Sequence, residues 1–82
     1  MAHTKAEVEY LRRLGTAIRQ SRRKKGWSQE RLSFECELHR TYVGAVERGE
    51  RNISILNLTK ITDALGTTLP RLTEGIKKDS KE

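Results

Sequence analysis

Only three residues, Glu37, Leu38 and His39, separate two short helical patterns in this chain. The first pattern spans residues 29–36. Ser28 stands before it as an N-cap, Glu30 lies in its first turn, and Trp27 and Leu32 flank the start as a hydrophobic staple. The second spans residues 40–48, with Leu38 and Val43 as its staple around His39 and Gly49 as the residue that ends it. Three linking residues are too few for an antiparallel hairpin of any length. They set the two helices at roughly 90–120° to one another.

The rest of the chain carries the same punctuation. Residues 6–25 read as a helix with Leu11, Leu14 and Ile18 on one face, closed by Gly26. Ile53 and Ser54 open a fourth helix, with Leu58 completing the staple. It carries Leu58, Ile61 and Leu65 on one face and stops at Gly66. A short fifth helix starts near Thr68 to Pro70, where a first-turn proline is tolerated. Its Leu69, Leu72 and Ile76 face either the core or a second copy of the chain. The charged residues 77–82 are expected to fray. Nothing signals a strand. The expectation is an all-α, five-helix fold, one domain over residues 1–82 with its core at about 8–76.

Composition narrows the function. Of the 82 residues, 34% are hydrophobic and 34% charged, which suits one small domain. No apolar run nears the roughly 20 residues a membrane span needs. The polar N-terminal stretch does not resemble a secretion signal. Cys36, the lone cysteine, offers neither an internal disulfide nor a thiolate metal cluster, so a reducing cytoplasm is the expected compartment. The formal charge is +6, concentrated in residues 1–25, while residues 26–50 carry −2. An anionic partner is implied, nucleic acid before a membrane surface. The acidic middle third means that a nucleic-acid reader there works by position, not by bulk charge.

A helix over residues 40–48 fits a DNA major groove, roughly 12 Å wide. Val43 and Val46 should face inward, leaving Arg40, Thr41, Gly44 and Ala45 outward. Arg40 suits a bidentate bond to guanine, and Thr41 a base edge or a thymine methyl. Gly44 and Ala45 have little side chain, so they allow close approach, and Ala45 joins Arg40 and Thr41 as a base-reading candidate. Gln29, His39, Tyr42, Arg48, Arg51 and Asn52 are candidates for phosphate, contacts that fix register without reading sequence. Tyr42 serves equally as a half-buried aromatic, and Arg48 and Arg51 as solvated charges. Glu47 borders the apolar face, where a carboxylate needs a partner. Arg22 is its candidate, in a structural ion pair.

The run Ser28-Gln29-Glu30-Arg31-Leu32, then Leu38-His39-Arg40-Thr41-Tyr42-Val43, then Val46-Glu47-Arg48-Gly49-Glu50-Arg51-Asn52-Ile53-Ser54 resembles the lambda-repressor-like (XRE) helix-turn-helix family. The resemblance covers about residues 11–76. It implies a five-helix DNA-binding domain acting as a transcriptional regulator, a homodimer on a pseudo-palindromic double-stranded operator. It also supports Arg40 and Thr41 as base readers, Gln29 and His39 as phosphate contacts, and the Arg22–Glu47 pair. Leu69, Leu72 and Ile76 are the candidate dimer interface. The chain's small size resembles restriction–modification controllers and small phage-type repressors.

Two residues depart from the family pattern. Glu37 stands where many members carry Gly at positive φ, a cost of about 1 kcal/mol. His39 replaces the commoner Ser, Asp or Asn cap, and its protonation state would then bear on DNA binding. Related domains also serve as antitoxins, so a protein partner, whether a toxin or RNA polymerase, stays open. An enzyme is not expected: there is no phosphate loop, metal-ligand spacing or nucleophile motif, and no cofactor or metal is implied.

Overall fold

The computed structural model describes residues 3–74 and 76. It contains α1 (Lys5–Lys24), α2 (Gln29–Cys36), α3 (Arg40–Glu47), α4 (Ile55–Leu65) and α5 (Leu69–Thr73). No strand occurs among the described residues, and no helix among them is long and apolar enough to cross a membrane. The expected fraying of residues 77–82 lies outside the described residues.

Local chemistry sets the helix ends. α1 begins at Lys5 because Thr4 and Glu7 form a capping box. The Thr4 hydroxyl accepts from the Glu7 N–H at 3.1 Å, and the Glu7 carboxylate accepts from the Thr4 N–H at 2.9 Å. That backbone bond holds the Glu7 carboxyl below its ordinary range. Ser28, Ser54 and Thr68 each cap the helix that follows by accepting a backbone N–H. α2 ends at Glu37, which takes the left-handed conformation at φ 61°. α3 stops at Glu47, one residue short of the expected Arg48, which is its C-cap.

The core joins all five helices. Leu14 and Ile18 of α1 meet Leu32 and Cys36 of α2, Val43 and Val46 of α3, Leu58, Ile61 and Leu65 of α4, and Leu72 of α5. Trp27, Leu38, Tyr42, Ile53, Leu69 and Ile76 pack around them. Burial pushes the Cys36 thiol up, away from its reactive thiolate form. α3 lies against both α1 and α2, α4 packs on α2 and α5, and α5 also closes on α1.

Two glycines allow α1 and α3 to meet. A Cβ on Gly15 would overlap the backbone carbonyl oxygens of Val46 and Glu47. A Cβ on Gly49 would lie 2.7 Å from the Arg12 Cα, and Gly49 also turns the chain at φ +77°. The backbones of α1 and of the end of α3 are therefore in direct contact, which fixes how α3 is presented.

Candidate nucleic-acid interface

α3 is held by both its neighbours, and that restricts what it can offer. Val43, Gly44, Ala45, Val46 and Glu47 are all buried. Only the first turn, with Arg40 and Thr41, and the capping Arg48 stand in solvent. This corrects the outward placement of Gly44 and Ala45. Ala45 is 9% exposed, so little of it is open to solvent. Gly44 lies beneath two side chains: an added Cβ would come 3.2 Å from a guanidinium nitrogen of Arg48 and 3.3 Å from the Gln29 amide oxygen. A helix wedged between two others buries a wider arc than its own apolar stripe indicates.

The exposed tip is prepared for contact. His39 caps α3 through Nδ1, which accepts the Thr41 backbone N–H at 3.0 Å. An accepting Nδ1 means that the proton sits on Nε2, which stays available as a donor. The cap and the doubly protonated ring exclude one another. Arg40 is well exposed, and one guanidinium nitrogen lies 3.4 Å from an exposed carboxylate oxygen of Glu30 on α2. The residue best suited to read guanine thus has a carboxylate neighbour that it can leave at little cost.

The phosphate candidates fall into two groups. His39, Arg48, Arg51 and Asn52 are exposed around α3. Arg48 donates to Glu50 at 3.0 Å, which raises the pKa of the guanidinium and lowers that of the carboxylate. The Arg51 guanidinium sits 5.0 Å from the centre of the Tyr42 ring. Tyr42 is half-buried against the core, and its hydroxyl accepts from the Asn57 amide at 3.2 Å. Asn57 was not read from the sequence; its position three residues after Ser54 signals a first-turn helix residue and nothing more.

Gln29 belongs to a different structure. Its amide donates to Glu47 Oε1 at 3.0 Å. Arg22 donates to the same carboxylate from Nε at 2.7 Å and from Nη2 at 2.9 Å, and its Nη1 donates to the Trp27 carbonyl at 2.8 Å. Arg22 is 7% exposed and Glu47 2%. The bonds to Glu47 raise the Arg22 pKa further. Among the described residues no buried side-chain polar atom lacks a partner. The network links the end of α1, the start of α2 and the end of α3. The spacing of Arg22 and Glu47 suggested the pair, but Gln29, 18 positions from Glu47, was missed as its third member.

The residues expected at a dimer interface, Leu69, Leu72 and Ile76, differ in burial. Leu72 is 6% exposed and part of the core, and Leu69 and Ile76 pack against it. Leu72 is thus core in a single chain, while Leu69 and Ile76 keep part of their surface in solvent. The large apolar residues left in solvent are elsewhere, with Phe34 at 78%, Ile55 at 67% and Leu56 at 65% exposure.

Comparison with known proteins agrees with this geometry. The helix-turn-helix family profile matches residues 18–72. The control protein C.BamHI of Bacillus amyloliquefaciens is 55% identical over 53 residues, which is 63% of this chain and 65% of that protein. The crystal structure of the restriction-modification controller C.AhdI from Aeromonas hydrophila superposes with a TM-score of 0.72. It is 47% identical, over 76% of this chain and 92% of that one. The controller C.Esp1396I, solved as a tetramer with its natural 35 base-pair operator, gives a TM-score of 0.74 at 32% identity, over 79% of this chain and 86% of that one. Solved forms of C.Esp1396I include replacements of an Arg, a Thr and a Tyr at three consecutive positions. Since the matched stretch runs from within α1 into α5 and includes the α2–α3 unit whole, the chain belongs to the helix-turn-helix family.

Proposed function

We propose that this protein regulates transcription as a homodimer on a pseudo-palindromic DNA operator, with the N-terminal tip of α3 in the major groove. One observation carries the reading. Arg40 and Thr41 are exposed at the start of a helix whose remainder is anchored to α1 and α2. Arg40 reads a guanine edge and Thr41 an adjoining base. His39 Nε2, Arg48, Arg51 and Asn52 supply backbone contacts. The similarity to restriction–modification controllers supports this assignment, as does the Arg-Thr-Tyr order that this chain shares with the positions replaced in C.Esp1396I.

Selection of bound duplexes from a random pool at about 150 mM salt tests the proposal. An inverted repeat with half-sites about one helical turn, roughly 34 Å, apart is the expected product. Binding without a consensus sinks it. Arg40→Ala should then cost about 1–3 kcal/mol per half-site and relax preference at one base pair. Equal losses on operator and random duplex, measured by titration, would remove Arg40 from the reading role.

A second copy is assigned to the exposed start of α4. Ile55 and Leu56 are adjacent, and each is about two-thirds in solvent, and a related controller assembles as an oligomer on its operator. Both side chains are already solvated, so Ile55→Asp and Leu56→Asp leave the core untouched. Sedimentation should show the doubly substituted protein at monomer mass where the unaltered protein is dimeric. A dimer that persists in the double variant would exclude this surface.

A further inference from the structure

A groove of about 950 Å³ lies between α1 and the α4–α5 end of the chain. No residue of α2 or α3 lines it. Its rim holds Arg23 and Lys24 from the last turn of α1 and Arg71 from α5, and Leu72, Ala17 and Ile76 supply apolar surface.

Three cations converge on this rim without a carboxylate partner among the described residues. Six arginines, Arg12, Arg13, Arg22, Arg31, Arg40 and Arg48, pair with carboxylates. Arg23, Lys24 and Arg71 have no carboxylate within ion-pair distance among the described residues. Glu74 also lines the groove, so with these three cations it leaves an excess of positive charge. The dipole of α1 favours cations in its last turn. It does not account for their convergence with Arg71, brought from 47 positions along the chain by the packing of α5 on α1. Like charges gathered around one concavity raise its potential and attract an anion.

Guanidinium groups match phosphate in shape and donor number. The partly exposed Ala17 and Ile76 beside these cations favour an anion that also carries a flat, poorly hydrated body. The volume falls in the range of small-molecule sites, about 300–1,000 Å³. We propose that this groove binds a nucleoside phosphate, with the phosphates held by Arg23, Lys24 and Arg71 and the base laid over the partly exposed Ala17 and Ile76. It would be a second anion site, separate from the face that meets the operator.

Calorimetric titration of the full-length protein with ADP, adenosine and inorganic pyrophosphate tests this, with amide chemical shifts to locate the site. ADP should saturate and bind more tightly than pyrophosphate or adenosine, with the shifts concentrated in residues 16–24 and 67–76. Replacing both of these arginines, Arg23→Gln with Arg71→Gln, should weaken ADP by about tenfold or more, as expected for lost charged hydrogen bonds. The thermal midpoint should stay unchanged. Absence of saturation at millimolar ADP overturns the proposal. So does a double variant that binds ADP as the unaltered protein does, or pyrophosphate binding as tight as ADP. If the double variant loses operator affinity and salt dependence but ADP never binds, the groove meets the phosphates of duplex DNA and the nucleotide site falls.

Discussion

Glu47→Ala should lower the unfolding free energy by about 3–5 kcal/mol, the usual cost of removing one partner from a buried ion pair. The substitution leaves the Arg22 guanidinium almost wholly out of water with only the Trp27 carbonyl as acceptor. It also releases the Gln29 amide. For a small domain with about 5–15 kcal/mol in total, that is enough to populate unfolded chains at moderate temperature. Urea denaturation measures it directly. A companion variant separates the pair's stability from its geometry. Arg22→Met with Glu47→Leu removes both charges and should recover most of the loss, because well-packed apolar replacements of buried pairs are often neutral or stabilising. If Glu47→Ala alone shifts stability by less than about 0.5 kcal/mol, as surface changes do, the pair is not what anchors α3.

Gly15→Ala sets two effects against each other. Alanine in mid-helix is favoured over glycine by about 1 kcal/mol. The new methyl group, however, would occupy the space of the Val46 and Glu47 carbonyl oxygens. Backbone on both sides cannot rotate out of the way as a side chain can, so α1 and α3 must separate. Overpacking of this kind costs about 1–3 kcal/mol and sometimes more; with the obstacle made of backbone, the upper end applies. The net loss should be about 2 kcal/mol, a fall of about 10 °C in the thermal midpoint for a domain of this size. A rise in the midpoint would mean that the crossing of α1 and α3 is not rigid.

How far the sequence could be read depended on the range of the interaction. Helix starts are local, so Ser28 and Ser54 announced theirs, and Thr4 with Glu7 carried the same signature and was simply overlooked. The glycine stops were legible for the same reason, whereas the positive φ of Glu37 was implied only by the family resemblance. Ala45 was misplaced because the outward face of α3 was drawn from its own period, although α1 and α2 together decide which arc is covered. Gly15 gave no signal, since a close crossing is a property of two helices. Leu69, Leu72 and Ile76 were seen as apolar and periodic, a pattern that cannot distinguish the inside of one chain from the space between two. The exposure of Ile55, Leu56 and Phe34 was hidden for the converse reason.

The Arg22–Glu47–Gln29 network has a consequence for recognition at longer range. It fastens three helices into one block, so on the proposed reading the tip of α3 cannot swivel to meet a displaced base pair. In a dimer of such blocks, all tolerance in half-site spacing has to come from the joint between subunits or from bending of the duplex. The distance between half-sites is then measured by the joint, and the identity of each half-site by the block. A change at the start of α4 would alter which spacings are accepted without changing the bases preferred at Arg40. The two properties of an operator, its letters and its length, would be separately adjustable in one small chain.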